Sequence, residues 1–212
     1  MKSTMTFALA GLLLAAIAQP ASAASAISVP TARTAPPVDP RADDATFQPA
    51  AVAQLGWDST QSRDASEQTT ARVATDGTYL YVRFDAAQQE RINSAAVTDG
   101  KSDGDLVWLD VQPSGASGAS YRFAAAPDGT SGVTASSGAA PAFAASGATY
   151  DSGYTVTMKI PIAGLQGAQS GSWSVQFGRA VHASGQQFVW SHDGNVADSG
   201  TMTMPTSVGL TP

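Results

Sequence analysis

Short alternating segments punctuated by Asp-Gly pairs constrain this chain more than any other feature. Tyr79 to Asp85 (YLYVRFD) sets Leu80, Val82 and Phe84 on one face and Tyr79, Tyr81 and Arg83 on the other. That period of two is the mark of a half-buried strand. Thr70 to Thr75 (TARVAT) alternates likewise and joins it through Asp76-Gly77, a tight hairpin turn. Asp105 to Val111 (DLVWLDV) forms a third strand, with Val107, Leu109 and Val111 opposed to Leu106, Trp108 and Asp110. The Gly/Ser loop Pro113 to Ser120 leads to a fourth, Tyr121 to Ala126, and Asp128-Gly129 turns into Ser131 to Ser136. Gly138 to Ala148 is small and low in complexity and reads as a surface loop. Tyr154 to Ile160 is a strand that stops at Pro161, because proline donates nothing to a ladder. After a short turn at Ala163 to Leu165, Trp173 to Val181 alternates with Trp173, Val175 and Phe177 on one face, which assigns Trp173 and Phe177 to the core. Gln186 to Ser191 follows, closed by Asp193-Gly194, and Thr201 to Leu210 holds a last edge strand. No window carries a helical stripe. The pattern predicts an all-β fold, an antiparallel β-sandwich of jelly-roll or immunoglobulin-like two-sheet architecture.

The 212 residues leave room for one such domain. An apolar fraction of 43% supports a core, and the formal charge of −6 argues against nucleic acid, which needs a surplus of Lys and Arg. With no cysteine there are no disulfides, thiolate metal sites or thiol nucleophiles. At the N-terminus, Lys2 precedes the apolar run Phe7 to Ala18, then Pro20 and the small-residue site Ala21-Ser22-Ala23. This predicts a signal peptide over residues 1–23, with cleavage after Ala23. No other stretch approaches spanning length. Residues 24–35, rich in Ala, Ser, Pro and Thr, read as a linker. The domain is then expected over 36–212, in a secreted or periplasmic bacterial protein that is a monomer.

Several segments, in order, resemble the carbohydrate-binding module family 9-like domain of the DOMON-like β-sandwiches. Pro37-Val38-Asp39 with Asp44-Ala45-Thr46-Phe47 resembles the opening "P-x-I-D-G … D-x-x-W", with Phe47 for the usual tryptophan. Thr70 and Asp76 to Val82 resemble "T … D-x-x-x-L-Y-V". Asp105 to Asp110, Tyr121-Arg122-Phe123 and Asp128-Gly129 resemble "V-E-x-F-L-D … Y-x-F … n-x-x-G". Tyr154 to Leu165 (YTVTMKIPIAGL) resembles "W-T-V-E-x-x-I-P-F-x-x-L", the most specific piece. Trp173 to Arg179, Phe188 to Ser191 and Val208-Gly209-Leu210 resemble "W-x-x-N-x-x-R", "x-x-W-S" and "F-G-x-L". The resemblance implies a β-sandwich and, for some members, sugar binding. Those members clamp a sugar between two loop tryptophans, where this chain has Gly100-Lys101-Ser102 and Gly194-Asn195-Val196. Leu106 stands in the place of an acid, while Arg122 matches an arginine that contacts sugar in such members.

Read by themselves, the residues offer flat aromatic faces and one planar cation, the chemistry that recognises sugar C–H groups and hydroxyls. The candidates are Arg122, Trp108, Tyr121 and Trp190. Trp108 and Trp190 carry a second reading, as packing residues under a loop or against the other sheet. Arg179 reads as a structural ion pair or a rim residue. Asp99, Asp103 and Asp105, on one Gly-rich loop, are a possible calcium site, although Asp-Gly pairs are also simply turns. Asp39, Asp43 and Asp44 form a second acidic cluster. An enzyme is not expected. Only two histidines are present, with His192 read as an exposed turn residue. Serine-nucleophile, phosphate-loop and dinucleotide motifs are missing. The only glutamates, Glu67 and Glu90, form no hydrolytic pair. The expected function is a non-catalytic carbohydrate-binding module. The alternatives are a sugar-independent envelope scaffold and, further off, a haem-binding DOMON-like domain with Met158, Met202, Met204 or His182 as ligands.

Overall fold

The structure is a computed structural model that describes residues 25–113, 119–168, 171–192 and 198–206. The signal-peptide expectation, the Asp193-Gly194 turn, Gly194-Asn195-Val196 and Val208-Gly209-Leu210 lie outside the described residues. The strands are β1 (Ala26–Ser28), β2 (Ala51–Gln54), β3 (Trp57–Asp58), β4 (Arg63–Asp64), β5 (Thr69–Thr75), β6 (Tyr79–Ala87), β7 (Leu106–Gln112), β8 (Tyr121–Ala125), β9 (Ser131–Ala135), β10 (Ala144–Tyr150), β11 (Gly153–Pro161), β12 (Gly171–Val181), β13 (Gln186–Val189) and β14 (Gly200–Met204). They form two sheets, as the alternation predicts. Nine strands run β4-β3-β13-β12-β7-β8-β9, with β14 on β12 and β1 on β14, and five run β10-β11-β6-β5-β2. Among the described residues no helix is long and apolar enough to cross a membrane.

The inward rows of the two sheets meet in one core. Leu80, Val82 and Phe84 face Val107, Leu109, Val111, Phe123, Trp173, Val175 and Phe177, all buried. Phe84 meets Phe177 edge-on with ring centroids 6.2 Å apart. The Asp76-Gly77 hairpin forms as expected. Gly77 takes φ 91°, and the Asp76 carboxylate accepts from the amides of Thr78 and Tyr79, both at 2.8 Å.

Three expectations are corrected. The residues read as a linker belong to the sandwich: β1 pairs in parallel with β14, and Val29 and Ala32 are buried. That pairing also makes β14 an interior strand rather than an edge. Gly138 to Ala148 is not wholly loop, because β10 starts at Ala144 and pairs with β11 from Ala144↔Lys159 to Tyr150↔Gly153. Its small residues serve close packing. A Cβ on Gly147 would run into the Pro127 carbonyl and the Gly129 amide, so only glycine lets this strand pass the 127–129 turn.

Candidate functional site

Period two decides which side chains leave the core. On β7 the even residues Leu106, Trp108 and Asp110 point to the outer face of the nine-stranded sheet, and on β8 Arg122 and Ala124 do the same. The register sets Asp110 opposite Arg122 and Trp108 opposite Ala124. Arg122 donates from Nε to Asp110 Oδ1 and from Nη2 to Asp110 Oδ2, both at 2.7 Å. This two-pronged pairing suits the planar guanidinium. Arg122 Cζ lies 5.2 Å from the centroid of the Trp108 ring. The Asp110 hydrogen bonds raise the Arg122 pKa above its ordinary value, against the opposing effect of burial. The guanidinium is therefore a fixed cation, with side-chain exposures of 37% for Arg122 and 35% for Asp110. A depression of about 350 Å³ beside the pair has Asp110, Ser120, Tyr121, Arg122, Thr134 and Ser136 among its lining residues.

Trp108 sits across from Gly178 on β12, and a Cβ at that position would strike the indole. The glycine lets the ring lie flat on the sheet. Over it folds the 88–105 segment: Val97 packs beside Gly132, and Gly100 rests on the Arg122 stem, where a Cβ would come 3.1 Å from Cγ. Trp108 is accordingly only 6% exposed. It joins Trp57, Leu106, Ala124 and Val189 in a second apolar cluster on this face. His192 covers the far end by stacking on Trp57, with centroids 4.2 Å apart and planes 7° from parallel. The indole N–H groups of Trp57 and Trp108 are buried without an acceptor.

Of the four expected sugar-contact residues, the fold brings only Trp108 and Arg122 together. Tyr121 points the other way, is 1% exposed, and its hydroxyl accepts from the Gln166 amide at 3.0 Å. Trp190 also faces inward, edge-on to Phe177 at 5.5 Å and close against Gly200. Neither can act as a platform beside Arg122, and Trp108 is roofed rather than open. His192 is half-buried on Trp57, which corrects its reading as an exposed turn residue.

The proposed calcium loop is corrected as well. Asp105 is fully buried, and both its oxygens are engaged. Oδ1 accepts from the His182 amide at 2.8 Å, and Oδ2 accepts from the Asn93 amide at 2.6 Å and Gln88 Nε2 at 3.0 Å. Asp99 and Asp103 are exposed in turns. Among the described residues no three His, Asp or Glu side chains converge as metal ligands. Asp105 instead anchors the roof. Gln88 Oε1 in turn accepts from Arg179 Nη2 at 2.7 Å, and that same nitrogen donates to Glu67 Oε2 at 3.0 Å.

Sequence reading did not single out Trp57, which lies in a two-residue strand without alternation. It placed Asp110 on the Trp108 face but did not pair it with Arg122, although a β7–β8 hairpin makes them register partners.

No curated protein matches the chain. Among solved structures it is similar to a candidate carbohydrate-binding protein from Bacteroides uniformis, with a TM-score of 0.65 and 15% identity over 86% of this chain and 100% of that one. It is also similar to a carbohydrate binding module family 9 from Caldicellulosiruptor kristjanssonii in complex with cellotriose, with a TM-score of 0.62 and 14% identity over 89% of this chain and 98% of that one. The same module in complex with glucose matches with a TM-score of 0.62 and 14% identity, over 89% and 100%. At these identities the likeness speaks for the fold. The family profile described as carbohydrate family 9 binding domain-like matches residues 38–198. That match covers most of the sandwich, including the strands that carry Trp108, Asp110 and Arg122, and the chain belongs to the carbohydrate family 9 binding domain-like family.

Proposed function

We propose that this chain is a non-catalytic carbohydrate-binding domain of an exported, secreted or periplasmic protein, and that it acts as a monomer. It binds glycan reversibly on the outer face of the nine-stranded sheet. The observation that carries the reading is the half-exposed Arg122–Asp110 pair held on the Trp108 ring, in a chain of this family. Asp110 engages Nε and one Nη2 proton, which leaves the other guanidinium donors for sugar hydroxyls. The carboxylate keeps lone pairs to accept from a neighbouring hydroxyl. Such paired donors and acceptors, already fixed before the sugar arrives, read vicinal hydroxyls at little ordering cost.

The test is a glycan array and an insoluble-polysaccharide pull-down on the folded protein, followed by titration of the best sugar into Arg122→Ala. We expect at least a tenfold loss of affinity with Tm lowered by no more than a few degrees. Unchanged affinity would remove Arg122 from the site. One observation favours a second reading, a sugar-independent scaffold: the indole beside Arg122 is covered instead of offered to a ligand. A folded protein that retains no glycan would favour that reading.

A further inference from the structure

The outer face of the five-stranded sheet carries a second set of polar and aromatic groups, on the opposite side of the sandwich from Arg122. Two neighbouring cross-strand rows define it. In the first, Thr155 on β11, Asp85 on β6, Thr70 on β5 and Gln54 on β2 are successive register partners. In the second, Tyr150 pairs with Gly153, Gly153 pairs with Ala87, and the Ala87 amide donates to the Gln68 carbonyl. The middle of this second row is bare for a steric reason: Gly153 has φ 150°, and a Cβ there would collide with the Ala86 carbonyl oxygen. The result is a trough of about 300 Å³ whose ends are Tyr150 and Gln68. Three strand spacings separate those ends, roughly 14 Å, the length of a short oligosaccharide.

Tyr150 is 46% exposed, the one large aromatic so exposed among the described residues. Its hydroxyl donates to the Pro40 carbonyl at 3.1 Å, which holds the ring in place. A fixed, open aromatic ring suits sugar C–H groups. Gln68 and Ser152 line the trough with amide and hydroxyl groups, and Thr70, which also lines it, donates to Gln54 Oε1 at 2.9 Å. The single carboxylate, Asp85, is already engaged by Arg83 at 3.0 Å, by Thr155 at 2.9 Å and by Arg72. The lining therefore offers neutral hydrogen-bonding groups and no unpaired charge.

We infer that this trough is a second saccharide contact, independent of the Arg122 face, and that it takes a short run of a neutral polysaccharide chain. Because the two outer faces of a sandwich point in opposite directions, one protein would hold two separate glycan chains. Retention on an insoluble matrix then exceeds what either face supports alone.

The test is an amide-resolved NMR titration of the full chain with a panel of neutral hexasaccharides (cello-, xylo-, manno- and maltohexaose). With at least one of them, the amides of Ala87, Ser152 and Gly153 should shift, and they should still shift in Arg122→Ala. Tyr150→Ala should weaken that binding at least tenfold and leave any shifts around Asp110 and Arg122 intact. Ala87→Leu, at an exposed position, should block the trough in a folded protein. Shifts confined to the Arg122 face would overturn the trough and leave the first site standing. Shifts confined to the trough would support it and remove the first site. If no sugar in the panel moves the trough amides, the inference fails. It also fails if Tyr150→Ala changes only self-association in sedimentation, for then a second copy of the chain occupies this face.

Discussion

Two of the molecule's arginine–carboxylate pairs, Arg179–Glu67 at the end of the core and Arg122–Asp110 on the outer face of the nine-stranded sheet, share their chemistry and differ in their surroundings. Arg179 is fully buried, with Glu67 at 18% side-chain exposure, whereas Arg122 and Asp110 are each more than a third exposed. Arg179 donates from Nη1 to Thr69 and the Ala87 carbonyl and from Nη2 to Glu67 and Gln88, and its guanidinium lies 5.4 Å from the Tyr154 ring and 5.5 Å from that of Phe188. It is a clamp between loops. Among the described residues Arg122 hydrogen-bonds to Asp110, lies over the Trp108 ring and keeps an open side. The buried cation is held by four acceptors on its two Nη atoms, although its buried Nε has no acceptor, and no side of it is open to a ligand. An exposed pair contributes little to stability and keeps donors free. Residue type alone does not separate the two roles; burial does.

The comparison breaks most visibly at Arg179. Arg179→Ala strands Glu67 and loosens Gln88 and Asp105, so chemical denaturation should show a loss of about 3–5 kcal/mol. Because the roof over Trp108 hangs on Asp105 and Gln88, tryptophan fluorescence of the remaining folded fraction should shift to the red. A loss as small as that of Arg122→Ala would erase the distinction. Next comes Gly178→Ala, which pushes a methyl into the Trp108 indole and should cost about 1–3 kcal/mol. The same change should weaken glycan binding by tilting the ring under Arg122; a variant with wild-type Tm and fluorescence would show that the indole is not held there. Arg122→Ala should cost only about 0–1 kcal/mol in a denaturation experiment, its main effect being on affinity.

The smallest effect is acid sensitivity at the Asp76 hairpin. Burial acts to raise this carboxyl, but hydrogen bonds from the Tyr79 amide, the Tyr81 hydroxyl and the Thr78 amide, with Lys159 nearby, bring it below its ordinary 3.8. A depressed carboxylate stabilises the fold in full above its unfolded value, and that stabilisation is lost as the pH falls through the folded one. Tm should decline as the pH drops below 3.8, and Asp76→Asn should make that decline shallower. Equal slopes for the two proteins would show that Asp76 is not the group responsible.

Period two made most of this molecule legible in advance. The strands that carry the core, β5 to β8 and β11 to β13, have alternating partners of unlike polarity, and their side chains went where parity sent them. Parity even sorts the two arginines: Arg179 shares the row of Trp173, Val175 and Phe177, while Arg122 opposes Tyr121 and Phe123. The same rule turns Tyr121 inward, away from the site. Where there is no alternation, reading fails. β1 is a three-residue parallel pairing without a pattern of its own, and β10 is built of small residues that close packing demands.

By itself, then, the sequence determined the sandwich, the inward and outward rows, and the family, because these follow from local periodicity and ordered motifs. Only the tertiary structure decided that Trp108 is roofed, that Asp105 is an anchor instead of a metal ligand, and that Tyr150 stands open on the opposite face. Each of those depends on contacts between segments far apart in the chain. Asp105 reaches Gln88, Asn93 and His182, and Arg179 reaches Glu67 across 112 positions. Parity sends a side chain to one face of a sheet, but whether a distant segment then covers that face is encoded in no local pattern.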